Sequence, residues 1–251
     1  MILLRRRALT GGDMPSPGPG PGPGPGPGPG PGPGPGPGGS AAGDLLVGQT
    51  VAIKESGTPI PYLVVHQGNP DAGLYDASCE GTWFLRNEIK AMRTYGSSRF
   101  YNYSSMPDFL DPDIAGSATS GLDEKIKNAM KTVKIPYHAS IGDIMSGANG
   151  FSCKAFILCA YEYGAKTDFT LPDDGAALDY FKDNNSNDRI AYYSGQPVIH
   201  WTRSDRTNGS TMCVVLKGGQ MASLTISNSL GVRPAFILPY DYQFEESEVI
   251  A

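Results

Sequence analysis

The chain has 251 residues, with 33 Gly and 22 Pro, and a net charge of −5. Arg5, Arg6, Arg7 and Asp13 give the first 40 residues a local +2. That leaves about −7 on the rest and no basic stripe to neutralise phosphates, which argues against a nucleic-acid partner. No apolar stretch approaches membrane-spanning length. The Met1–Arg7 start lacks the charge-first, long-apolar order of a secretory signal, so the reading is cytoplasmic synthesis without a signal peptide and no membrane insertion.

Residues 1–14 read as a disordered N-terminal segment and residues 15–42 as a Pro-Gly tether. Collagen needs Gly at every third position, and the period here is two. Alternating Pro keeps such a chain extended while Gly restores bending, which makes a spacer without a core. A folded pattern begins at Gly43 and runs to about Tyr240 as one domain, followed by an acidic tail over 241–251.

Within the domain, Thr50–Ile53 and Pro61–His66 are β-branched runs around Glu55-Ser56-Gly57-Thr58-Pro59 and predict a hairpin. Trp83-Phe84-Leu85 opens a strand with a charged exit. Leu122, Ile126, Ala129 and Met130 fall at helical spacing, with Asp123 and Glu124 at the positive N-terminal end. Lys134-Ile135-Pro136-Tyr137 is extended, because Pro136 pushes Ile135 out of the helical region. Ala155 to Ala160 is a continuous apolar run suited to a strand buried on both faces. Ala176 to Phe181 adds a helical turn or two. The end is β-rich, with strands expected at Ile199–Arg203, Met212–Leu216, Ser223–Ile226 and Val232–Leu238, so the fold class is α+β with a strand-dominated C-terminal third.

Catalytic motifs are missing: there is no GxSxG, and neither a P-loop nor GxGxxG in a strand-turn-helix setting. His66, His138 and His200 are far apart and read as structural or surface side chains. Cys79, Cys153, Cys159 and Cys213 form no CxxC pair and read as small buried thiols, with neither zinc nor disulfides indicated. Asp183-Asn184-Asn185-Ser186-Asn187-Asp188 has the oxygen-rich side chains that calcium takes. It lacks the spaced Gly and terminal Glu of an EF-hand loop, so it reads as a solvated loop, and no cofactor is expected.

His200-Trp201-Thr202-Arg203-Ser204, followed after a polar stretch by Gly231-Val232-Arg233-Pro234-Ala235-Phe236, resembles the C-terminal pattern of the DUF6273-type domains of gut bacteria and their phages. Upstream blocks share the likeness: Gly68-Asn69-Pro70, Leu74 to Cys79, Gly81-Thr82-Trp83, Val133 to Tyr137 and Ser146 to Gly150. The resemblance implies a C-type-lectin-like fold, in the branch shared by formylglycine-generating enzymes and retroelement-diversified variable proteins. His200 and Thr202 stand where the family pattern has Trp and Leu. The oxidase activity is not carried over, because it depends on a closely spaced copper-binding cysteine pair, and the C-terminal third holds only Cys213.

The same resemblance implies a non-catalytic ligand-binding domain on a phage tail or fibre, recognising a glycan or protein on the host-cell surface. Its other partners are virion subunits, in a homotrimer by analogy, with a bacterial cell surface as the alternative location. A formylglycine-generating-type oxidase and a purely structural virion component are the competing readings. In physical terms, Trp201 is an apolar anchor, Arg203 and Arg233 are clamps that need acceptors in an apolar setting, and Pro234 places its strand at an edge or bulge. The polar residues on and between these blocks are the candidate contacts: Thr202, Asp205, Arg206, Thr207, Asn208, Ser210, Gln220, Ser227 and Asn228. They suit a recognition surface on a rigid frame. Tyr192 and Tyr193 are placed at its border.

Overall fold

The computed structural model describes residues 39–140, 142–165, 174–206 and 210–250. The expected N-terminal segment and nearly all of the Pro-Gly tether lie outside the described residues, as do the candidate contacts Thr207 and Asn208.

Two antiparallel-rich sheets carry the fold. The strands are β1 (Thr50–Glu55), β2 (Thr58–Gln67), β3 (Thr82–Arg86), β4 (Ala91–Arg93), β5 (Ala155–Phe156), β6 (His200–Asp205), β7 (Thr211–Val215), β8 (Met221–Thr225), β9 (Leu230–Val232), β10 (Ala235–Leu238) and β11 (Val249–Ile250). The larger sheet has the order β5-β10-β3-β2-β1-β11 and the smaller β8-β7-β6-β9-β4. Within these sheets only β6 and β9 run parallel, with His200 opposite Gly231.

The β1–β2 hairpin turns on Ser56 and Gly57, both at positive φ (50° and 83°), with Glu55 opposite Thr58. Two left-handed residues give the turn whose twist matches that of the paired strands. Trp83 of β3 is fully buried and stands edge-on to Tyr75 and Phe156 at ring separations of 5.7 and 5.4 Å. Its indole N–H donates to the Gly68 and Cys79 carbonyls (2.9 and 3.1 Å). Truncating such a buried aromatic costs about 3–5 kcal/mol.

The α+β, C-type-lectin-like expectation is overturned: the chain is 39% strand and 15% helical, a β-rich fold. Among the described residues the α-helices are α1 (Met106–Leu110), which no sequence pattern had indicated, and α2 (Glu124–Ala129). α2 starts where expected, with the Asp123 carboxylate accepting from Lys125 N at 2.9 Å, but stops after six residues as Met130 turns extended. Ala176 to Phe181 contributes one 3-10 turn, Asp179–Phe181.

Three strand expectations also change. The run from Ala155 to Ala160 is buried throughout, yet leaves the ladder after Phe156. Val232–Leu238 is not one strand: Arg233 and Pro234 separate β9 in the smaller sheet from β10 in the larger. Pro234 therefore marks a change of sheet, where its missing N–H breaks no ladder, and β10 behind it lies inside the larger sheet. The acidic tail joins the fold, with Gln243–Glu245 pairing Gly39–Ala41 and β11 pairing β1.

Candidate functional site

Two chain segments pass from one sheet to the other side by side. Asn87–Lys90 links β3 to β4, and Arg233-Pro234 links β9 to β10. Backbone bonds lace them together: Arg86 N donates to Pro234 O (2.9 Å) and Lys90 N to Val232 O (2.8 Å). The Arg233 Nε donates to the Arg86 carbonyl at 2.7 Å. Underneath, the Arg86 guanidinium pairs with buried Glu55 (Nε to Oε1, 2.7 Å) and donates to the Glu88 and Ile89 carbonyls. Lys90 and the Tyr62 hydroxyl reach the same Glu55 carboxylate, at 2.6 and 2.7 Å. Burial pushes the Glu55 pKa up, but its partners Arg86, Lys90 and Tyr62 together hold it below the ordinary value.

Where these crossovers part the sheets, a cleft of ≈ 500 Å³ opens. Its polar lining includes Thr50, Asn87, Glu88, Asn187 and Asp188, and Tyr180, Tyr192 and Arg233 add aromatic and cationic groups. A second hollow of ≈ 390 Å³ shares Gly48, Thr50, Pro61 and Asn87 with it and ends against Ile250. Three local devices place the walls. The Tyr192–Tyr193/Gln196–Pro197 hairpin turns on Ser194 and Gly195 at positive φ, and Tyr192 O accepts from Ile89 N at 2.9 Å. The turn Ser186–Arg189 is capped by Asn185, and Arg189 clamps it by donating to the Tyr163 and Gly219 carbonyls (2.7 and 3.3 Å). Phe181 is buried beside Tyr163 at 5.0 Å and carries its neighbour Tyr180 to the cleft wall.

The sequence-derived contact residues do not converge. Thr202 is fully buried, and its hydroxyl donates to Cys213 O at 2.8 Å. Asp205 is buried beside Arg99 (3.4 Å), and its carboxyl is pushed up to about 6 by burial. Both belong to the interior. A bulge in β6 falls between Trp201 and Asp205, and the strand is buried along its whole length, on both faces. Arg206 reaches Ser223 Oγ. Ser210, Ser227 and Asn228 are exposed around the Thr211/Thr225 end of the β7–β8 hairpin, where Asn228 Nδ2 donates to Thr225 Oγ1 at 2.7 Å. Gln220 is exposed at the opposite end, beyond the Val215/Met221 pair. Five residues of strand, about 16 Å, separate the two ends.

Of the frame residues, Trp201, Arg203 and Pro234 are interior, while Arg233 is buried but borders the cleft. Trp201 is fully buried, with its N–H on Arg93 O (2.9 Å) and its ring against Tyr95 (5.3 Å). Arg203 pairs with Glu162, both side chains fully buried, and Glu162 also accepts from the Tyr75 hydroxyl (2.7 Å) and Cys159 N (2.8 Å). Of the border tyrosines, Tyr192 lines the cleft.

All four cysteines are free thiols. Burial pushes Cys79 and Cys213 up to about 12 and Cys159 well above its ordinary value, which disfavours the thiolate that metals and oxidation chemistry use. Among the described residues no three His, Cys, Asp or Glu side chains gather as a metal site, and in the oxygen-rich loop Asp188 accepts from Asn185 Nδ2 at 3.2 Å. No helix of the described residues is long and apolar enough to cross a membrane. A family model described as "Domain of unknown function (DUF6273)" matches residues 80–240. Neither a curated protein nor a solved structure gives a match.

Proposed function

We propose that this chain, which belongs to the DUF6273 family, is a non-catalytic ligand-binding domain displayed on a phage tail or fibre, and that the crossover cleft contacts the host-cell ligand. The observation carrying the reading is the lining of that cleft. Tyr192 is 44% exposed and offers a ring face, while Asn87, Asn187, Glu88 and Asp188 offer donors and acceptors on rigid strand ends and turns. Hydroxyl-rich ligands such as glycans are held by that combination of a stacking face and converging hydrogen-bonding groups. The sequence resemblance to phage-encoded domains supports the display setting.

The test is a titration of the full-length chain against an array of immobilised bacterial surface glycans. Wild type is compared with Tyr192→Ala/Asn187→Ala and with Ser227→Ala/Asn228→Ala. The cleft pair is expected to weaken binding by about tenfold or more, as loss of a stacked aromatic and a hydrogen bond does. The hairpin-end pair should leave binding unchanged. If only the hairpin-end pair loses binding, the contact surface is the β7–β8 hairpin end and the cleft assignment is wrong.

A further inference from the structure

Four arginines are buried among the described residues: Arg86, Arg189, Arg203 and Arg233. Three of them have their charge or their N–H groups met. Arg86 and Arg203 pair with Glu55 and Glu162, and Arg189 donates to two carbonyls and to Asn184 Oδ1. Arg233 is different. It is 4% exposed, its Nε is taken by the Arg86 carbonyl, and its Nη1 has no hydrogen-bond partner. No carboxylate stands within ion-pair distance of it among the described residues. The groups that face it are the Tyr163 and Tyr180 hydroxyls, Arg86 and His200, none of which brings a negative charge. A buried cation without a counter-charge is costly, and a protein that keeps one gains from whatever anion completes it.

Arg233 also lines the cleft, as its one cationic group beside the acidic Glu88 and Asp188. We propose that the cleft binds a saccharide bearing a carboxylate, of the uronic-acid or sialic-acid class, with that carboxylate seated against the Arg233 guanidinium. Nε is occupied and the Tyr163 hydroxyl shares the terminal side of the guanidinium, so Arg233 offers a carboxylate a charge-assisted hydrogen bond from that side. Glu88 and Asp188 are acceptors for the hydroxyls of the same sugar ring. They repel a doubly charged phosphate monoester more than a singly charged carboxylate, whose one charge Arg233 balances. This inference rests on the cleft being the contact surface.

The experiment uses the full-length wild-type chain and matched probes that differ in one charge. These are methyl galacturonide against methyl galactoside, methyl glucuronide against methyl glucoside, and N-acetylneuraminate against its methyl ester, each titrated by calorimetry. At least one acid is expected to bind about tenfold or more tightly than its neutral partner, the ratio for a charge-assisted hydrogen bond. Sodium acetate should compete with the acid but not with the neutral sugar. Arg233→Lys, checked by its melting curve, should lower the ratio of acid to neutral affinity, because a lysine ammonium does not reproduce the guanidinium's planar donors. If that variant does not fold, the wild-type pairs and the acetate competition decide alone. Neutral sugars binding as tightly as the acids overturn the inference and leave the cleft reading intact. Failure of all three acids to bind overturns the inference. Unchanged glycan binding by Tyr192→Ala/Asn187→Ala overturns the cleft reading itself.

Discussion

Replacing Glu55 by Gln removes one negative charge from beneath the crossovers while keeping the side chain's shape. The Glu55 side chain is 5% exposed, its Arg86 partner 10% and Lys90 27%. Taking away one partner of a buried pair costs about 3–5 kcal/mol, because the other charge stays buried and unmet. Lys90 can turn to water, and the Gln oxygen keeps one of the Glu55 hydrogen bonds. The expected loss is therefore at the lower end, about 3 kcal/mol. The assay is urea unfolding at pH 7 followed by the fluorescence of Trp83 and Trp201, both fully buried. With a slope of about 2–3 kcal/mol per molar urea for a domain of this size, the midpoint should fall by roughly 1–1.5 M.

A pH series gives the second arm. The folded pKa of Glu55 lies below its ordinary 4.5, so its stabilisation is fully present above 4.5 and is lost as pH falls through the folded value. The gap between wild type and Glu55→Gln should close over that window. A loss under about 1 kcal/mol at pH 7, or a gap that persists undiminished toward pH 3, would refute the reasoning.

Gly219→Ala should lower the melting temperature by roughly 4–8 °C, from about 2 kcal/mol of strain. Gly219 sits at φ +80°, and a Cβ there would be driven into the Ser186 carbonyl at the base of the cleft wall. Cys79, Cys159 and Cys213 should react with Ellman's reagent at pH 8 only after urea unfolding, since burial holds all three as thiols; rapid labelling of the folded chain would contradict this. Burial holds His138 down to about 4 and His200 to about 3. Their imidazole NMR signals should stay fixed between pH 8 and 5. Their contribution to stability should fall as pH drops below 6.5, where only the unfolded chain takes up those protons.

Local chemistry was readable where a few adjacent residues decide the outcome. Ser56-Gly57 marks its hairpin because the turn needs two left-handed residues, and Asp123 marks the start of α2 because its carboxylate meets the helix's own N–H groups. The sheet assignments were not readable. Val232–Leu238 is apolar from end to end apart from Arg233 and Pro234, and nothing in that pattern says that its halves pair with different sheets. Thr202 and Asp205 lie in a polar-looking run, yet in the folded domain β6 is buried along its whole length. The cleft draws on Thr50, Asn87, Asp188 and Arg233, four separate stretches that only tertiary structure joins. Arg233 did carry a signal, an arginine in an apolar setting with no carboxylate nearby in the chain. Only the fold shows that no carboxylate arrives from elsewhere among the described residues.

The paired crossovers also govern the order in which the domain can be built. β3 meets β10 through Trp83 and Ile237, and β4 meets β9 through Arg93 and Leu230, so each sheet closes on partners from far apart in the chain. β3 has its β10 partner only once the chain has reached Leu238. Pairings so distant in sequence place the domain among slow folders. The larger sheet closes last at its other edge, where β11 pairs β1 only once the chain has reached Ile250.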